Sequence, residues 1–317
     1  MSITQARELT RERLLSLQRR TPEVELRQRC RDLPRGRGWD LPVHRPEPEI
    51  TEPTNFVSRI LTPLSTPPGP RPLVTGPIPL LPELRRRISA RLAPLALPGQ
   101  RRSARDFYAP WLDVRPPAAL VWTDVAYFDG EVGDILDLRQ ALDNIPEEKW
   151  ASAVVGERGP VPPADVRLIR ADMVLEPYQL FESHMSRADG VLCFAETLSR
   201  EQLQELRGWS EELGLSLLVV VTRGRDLEWC FDEGIRWLVI SPRDPFVGRS
   251  VATEPGLVSV LEGWRSMMPT TGRVLGWGKV KGESELERCA AAGVCGVVDP
   301  FVEVATLRRS QEGSRRS

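Results

Sequence analysis

Lysine is almost missing from this chain: Lys149, Lys279 and Lys281 stand against 40 arginines in 317 residues. The split restricts chemistry, because a guanidinium stays protonated and clamps anions, whereas an amine can lose its proton and act as acid, base or Schiff-base nucleophile. Any lysine-dependent mechanism has three candidates. Histidine is scarcer still, and His44 and His184 lie far apart without HxxxH or HExxH spacing, which leaves nothing to build a zinc site or a His-based triad. Five cysteines, Cys30, Cys193, Cys230, Cys289 and Cys295, form no CxxC or other ligand-spaced pair. An odd count in a long chain reads as reduced, mostly buried thiols in a reducing compartment, the cytoplasm or an organellar matrix. No apolar run reaches the roughly 18 residues that cross a bilayer, and the opening MSITQARELTRERLL has no signal-peptide core, so a soluble protein without a membrane span is expected. Nor does one sign of charge dominate: 43 Lys plus Arg against 44 Asp plus Glu gives no reason to expect a nucleic-acid partner. Neither a metal nor a cofactor is expected.

With 41% hydrophobic residues there is ample material for a core. Residues 2–32 read as one or two surface helices, with Leu9, Leu14, Leu15 and Leu17 set among Arg and Glu at helical spacing. Between Pro42 and Pro117 stand 17 of the 29 prolines, which excludes a continuous helix there. From residue 118 apolar strand-like runs alternate with amphipathic helical segments, the texture of a parallel α/β fold. Strands are expected at 119–123, 166–170, 190–194, 216–221, 237–241, 273–276 and 296–299, and with PLVTG at 72–76 they number eight. The intervening helices fall at 133–142, 177–187, 199–213, 227–233, 255–267 and 283–292, with a last one from Glu303. Eight such units in about 240 residues fit a (β/α)8 TIM barrel better than an open sheet. GWGKVKG at 276–282 has the wrong spacing and place for a dinucleotide loop. The expected organisation is an N-terminal helical and Pro-rich extension over 1–70, a barrel over 71–308 and a disordered tail over 309–317.

Five segments in order carry a more specific signal. WTDVAYFDGEVGDILDLR (122–139) is similar to LTDxxxFxGSxxxLxxVR, and IRADMVLEPYQLFES (169–183) to LRKDFIIDPYQxxEA. LGLSLLVVV, ISPRDP and LERCAAAGVCGVV follow in the places of LGLxxLVEV, INNRDL and VxxLxxAGVDAVL. These patterns belong to indole-3-glycerol phosphate synthase, the tryptophan-pathway lyase, which the chain resembles over roughly residues 104–305. Residues 33–70, 77–103 and the insertion before the third strand match poorly.

The resemblance implies a ring closure with loss of carbon dioxide and water, which needs a cationic acid, a carboxylate and phosphate donors at strand C-termini. Position by position these groups are missing. The third-strand lysine falls on Ala171, the fifth-strand glutamate on Val220, the sixth-strand asparagine on Ser241, and the seventh-strand glutamate on Trp277. The first-strand Glu-Ile-Lys faces LVTGPIPLLP around Thr75 and Gly76, with no lysine or acid in reach. The eighth-strand phosphate triplet becomes Pro300, Phe301 and Val302. Asp124, Asp172, Pro177, Tyr178, Gln179, Arg243 and Asp244 do match, and they read as scaffold rather than chemistry.

A non-catalytic member of the family is therefore expected, a structural or binding module that contacts a protein assembly through its N-terminal extension. The alternative is a carbon-carbon lyase of tryptophan biosynthesis, or a related sugar-phosphate enzyme, with relocated catalytic groups. A third reading keeps an anion pocket for a phosphorylated small molecule at Lys279, with Arg170 or Arg243 across the mouth; against it, Lys279 and Lys281 are simply solvated loop charges. Trp277 either fills the old pocket or stacks on a ligand.

Overall fold

A computed structural model describes residues 3–32, 78–86, 103–146, 166–242, 256–268 and 273–300. Helices α1 (Ile3–Arg20) and α2 (Glu23–Asp32) precede β1 (Leu80–Leu84), α3 (Ala104–Phe107) and α4 (Ala109–Val114). Then come β2 (Ala118–Trp122), α5 (Val125–Phe128), α6 (Gly133–Asp143), β3 (Arg167–Ala171) and α7 (Pro177–Met185). β4 (Gly190–Phe194), a 3-10 turn (Ala195–Thr197), α8 (Arg200–Leu213), β5 (Ser216–Val221) and α9 (Gly224–Asp232) follow. The chain continues through β6 (Trp237–Ile240), α10 (Leu257–Trp264), β7 (Arg273–Trp277), α11 (Glu283–Ala291) and β8 (Gly296–Asp299). All eight strands pair in parallel with their sequence neighbours, and β1 pairs β8, closing the sheet into the expected (β/α)8 TIM barrel.

Both faces of these strands are covered, one by the barrel interior and one by helices, so the sequence runs apolar without interruption rather than alternating. The structure sorts the run by parity: Leu120 and Trp122, Ile169 and Ala171, Leu192 and Phe194, Leu218 and Val220, and Leu275 and Trp277 join one core inside the barrel. Val191, Val219, Leu238 and Val274 pack outward against the helices. Local chemistry fixes the helix ends. Ser199 and Gln202 form a reciprocal capping box at α8, which Gly214 closes at a positive φ of 71°.

Seven strands lie within a residue or so of expectation, and the first does not. The segment 72–76 lies outside the described residues, and the strand that closes the barrel is Leu80–Leu84, LLPEL. Its central Pro82 lacks an amide hydrogen and made this stretch read as part of the Pro-rich loop. The helix expected from Glu303 also lies outside the described residues.

Helices α1 and α2 are more than surface decoration. Ala6, Leu14, Leu26 and Cys30 are buried in the same core as the barrel interior. Arg13 approaches Asp172 at 4.0 Å and the Gln18 amide donates to Glu176 at 2.8 Å, which lays α1 over the C-terminal ends of β3 and β4. On α2 the Arg27 guanidinium lies 4.2 Å from the Trp209 ring centroid and 5.3 Å from that of Phe181, pinning the helix to α7 and α8. Among the described residues no helix is long and apolar enough to cross a membrane.

Candidate functional site at the barrel mouth

Catalytic groups of a barrel stand at the C-terminal ends of its strands, on inward positions. Here those positions converge on an apolar plug. Trp122 and Trp277 face each other with ring centroids 6.0 Å apart, Phe194 lies 6.4 Å from Trp277, and Phe128 stacks at 4.0 Å on Trp122. Ala171, Val220, Leu175 and Leu14 are buried in the same cluster. Trp277, of which two roles were open, is buried here among protein rings. Ser241 is also buried, just past β6, with its amide hydrogen-bonded to the Val221 carbonyl at 3.1 Å.

One carboxylate sits inside this plug, and the sequence reading missed it. Glu83 on β1 accepts from the Trp122 indole Nε1 at 2.6 Å and from the Trp277 Nε1 at 2.9 Å. Arg85 adds a third contact to Glu83 at 3.4 Å and donates to the Pro300 carbonyl at 3.3 Å, tying β1 to the end of β8. The expectation of no acid in reach at the first strand is thus corrected: Glu83 lies on β1 and Arg85 just after it. The carboxylate is present, but a guanidinium in place of the amine is no proton donor at neutral pH. The available signal was an acid and a base two apart in ELR, on one face of a strand; Pro82 and the placement of the strand eight residues earlier hid it.

Those matched motif residues that are described hold the scaffold. Asp124 caps α5 by accepting from the Tyr127 amide at 2.6 Å. Gly130 follows in a space that no side chain could share, since a Cβ there would lie 1.9 Å from the Trp122 carbonyl oxygen. Gln179 accepts from the Leu175 and Glu176 amides at 2.7 and 3.3 Å and donates to the Met173 carbonyl at 2.8 Å, so one side chain shapes the whole turn into α7. Tyr178 is buried in the interior core. Asp172 accepts from the Thr123 hydroxyl at 2.9 Å and from Arg170 at 2.8 Å. Burial alone would raise the Asp172 carboxyl, but the charges of Arg170 and Arg13 and these hydrogen bonds outweigh it and hold it below the ordinary carboxylate range.

Of the two arginines expected across the mouth from Lys279, Arg170 does not join an anion site. Arg170 is fully buried, turned away from the barrel axis, and donates to Thr123 (3.0 Å), the Gln179 carbonyl (2.9 Å), Ser183 (3.2 Å), Glu182 (3.3 Å) and Asp172. Its donors are consumed by β2, β3 and α7, so it cannot reach across the mouth to Lys279. Arg243 and Asp244 lie outside the described residues, as do Phe301 and Val302. Lys279 is exposed on the loop between β7 and α11. In that loop the Val280 amide donates to the Asp299 carboxylate at 3.1 Å and the Lys281 amide to Glu285 at 2.8 Å. Both amides are thus taken by carboxylates of the chain itself.

Residues 117–244 match the family model for indole-3-glycerol phosphate synthase. A multifunctional tryptophan biosynthesis protein of Phanerodontia chrysosporium is 29% identical over 124 residues, covering 39% of this chain and 14% of that protein. The indole-3-glycerol phosphate synthase of Dehalococcoides mccartyi is 30% identical over 131 residues, covering 41% and 48% of the two chains. That of Salinibacter ruber is 42% identical over 77 residues, or 24% and 28%. The chain spans less than half the length of these relatives. Of solved structures, 3-keto-L-gulonate-6-phosphate decarboxylase from Vibrio cholerae aligns with a TM-score of 0.46 at 10% identity, over 75% of this chain and 99% of that one. Over residues 117–244 the chain is thus similar to the indole-3-glycerol phosphate synthases at modest identity, as the segments within that range led one to expect.

Proposed function

We propose that this chain is a non-catalytic, indole-3-glycerol phosphate synthase-like barrel retained as a structural or binding module. The observation that carries the reading is the aromatic plug: Trp122, Phe128, Phe194 and Trp277 occupy the barrel mouth, and the one carboxylate among them, Glu83, is engaged by two indole N–H groups. Loss of one charge-stabilising donor costs about 10²–10³ in rate, and here a methyl, an isopropyl and an indole replace two acids and a base of the family's set. The filled amides at Val280 and Lys281 point the same way. The contacts of such a module fall on the N-terminal region, where α1 and α2 leave Leu9, Leu15 and Val24 exposed.

The second reading, a carbon-carbon lyase of tryptophan biosynthesis, is favoured by one observation: Glu83 and Arg85 restore an acid and a cation at the first strand. Expression in a tryptophan auxotroph lacking the synthase, together with a fluorescence assay for indole-3-glycerol phosphate formation by the purified chain, decides between them. Neither growth nor turnover is expected. Turnover abolished by Glu83→Gln would overturn the non-catalytic reading and name its carboxylate.

A further inference from the structure

Away from the barrel axis, between the C-terminal ends of β4 and β5, a cleft of about 310 Å3 opens beside helix α9. Leu198, from the segment after β4, lines it together with Arg225, Asp226 and Trp229 of α9. Cations and acids share its wall: Arg223 is in direct contact with Glu196, and Arg225 stands beside Asp226. Charges so balanced do not draw in a simple anion, but they suit a ligand that carries both signs.

The two pairs differ in completeness. Arg223 donates a hydrogen bond to Glu196, which closes that pair. Arg225 lies 3.8 Å from the Asp226 carboxylate, too far for a hydrogen bond, and keeps 74% of its side-chain surface exposed. Asp226 is the reverse, a residue only 9% exposed. Its Oδ1 accepts from the Trp229 indole Nε1 at 3.4 Å, and its Oδ2 has no hydrogen-bond partner among the described residues. A buried carboxylate oxygen without a donor is destabilising, so a cationic donor arriving in the cleft gains more there than at a satisfied group. The open pair thus lacks an anion beside Arg225 and a cation beside Asp226. An α-amino acid supplies both from one carbon, which bears its carboxylate and its ammonium. Half-buried Trp229 and Leu198 add an apolar wall for a side chain.

We propose that this cleft binds a free α-amino acid with an apolar side chain, its carboxylate on Arg225, its ammonium on Asp226 and its side chain against Trp229. The site stands whether or not the barrel axis is catalytic. Calorimetric titration of the full chain with L-phenylalanine, N-acetyl-L-phenylalanine, L-phenylalaninamide and glycine tests it. Phenylalanine is expected to saturate the site, and the acetylated and amidated forms, each lacking one charge, to bind about tenfold more weakly or worse. Glycine, with no side chain to lay on the indole, falls behind as well. Arg225→Ala, which alters a largely exposed side chain, and Asp226→Asn, which keeps the size of the buried one, each weaken phenylalanine about tenfold. Lys279→Ala changes nothing. Where Asp226→Asn fails to fold, the acetylated ligand reads the ammonium end on the parent protein. No saturation by about 20 mM phenylalanine overturns the proposal, as does equal binding of either blocked form, undiminished binding in Arg225→Ala, or loss of binding in Lys279→Ala. Glycine binding as tightly as phenylalanine overturns the place given to Trp229.

Discussion

Replacing Glu83 by glutamine tests how the plug is held. The carboxylate offers an oxygen to each of two buried indoles, at 2.6 Å to Trp122 and 2.9 Å to Trp277. Glutamine keeps one oxygen and turns an NH2 group toward the second indole, so two donors face each other and one buried N–H loses its acceptor. Such an orphaned donor costs about 1–3 kcal/mol. At about 2–4 °C per kcal/mol for a domain of this order, the melting temperature of Glu83→Gln should fall by roughly 2–12 °C. The cause is separable from general damage by a double-mutant cycle. Trp277→Phe removes the second indole donor, so adding Glu83→Gln to Trp277→Phe should cost less than adding it to the parent, by about 1 kcal/mol. Thermal unfolding followed by circular dichroism reads all four proteins. A melting temperature within about 1 °C of the parent for Glu83→Gln, or strict additivity in the cycle, would show that the two indoles do not depend on this carboxylate.

Breaking the buried pair with Arg170→Ala strands Asp172 and Glu182 and should cost about 3–5 kcal/mol in urea unfolding, whereas loss of a mere surface charge would cost under about 1. Because the Asp172 carboxyl is held below its ordinary value, the unfolded chain binds its proton first as pH falls. Its stabilisation is therefore complete above the unfolded value of about 4 and is lost as pH drops through the folded one, and Asp172→Asn should flatten that acid limb in a pH series of melting curves. Gly130→Ala drives a methyl into the Trp122 carbonyl and should destabilise by at least about 1–3 kcal/mol; an unchanged melting temperature would contradict the close approach. Burial pushes the Cys30 and Cys289 thiols up to about 11 and raises Cys193 and Cys230 as well. Timed labelling with a thiol reagent on the native protein should accordingly modify half-buried Cys295 first, with the other four following only on unfolding.

Seven of the eight strands were legible because hydrophobic runs bounded by glycine and helix caps are a local signal: Gly214 ends α8 and SLLVVV follows at once. β1 was not, because Pro82 in its middle is locally a breaker and is tolerated only through the pairing that closes the barrel, opposite Asp299. The replacements at Ala171, Val220 and Trp277 could be named from spacing alone, yet not that the rings of Trp122 and Trp277 meet over Glu83, residues 39 and 194 positions away in sequence. The pairing of Lys279 with Arg170 failed for a related reason. Alternation along β3 puts Ala171 inside and Arg170 outside, and strand parity is set by register, which closure fixes.

The carboxylates of Asp299 at the end of β8 and Glu285 in α11, which bond the loop after β7, bear on how the protein responds to its surroundings. A ligand that binds only the folded state raises stability in proportion to the logarithm of its concentration, so a loop ordered by a metabolite ties a protein's persistence to metabolite supply. Here the Val280 and Lys281 amides take their negative partners from within the chain, at a local concentration that never changes. The order of these two amides therefore does not wait on a bound anion: it is set when the barrel folds.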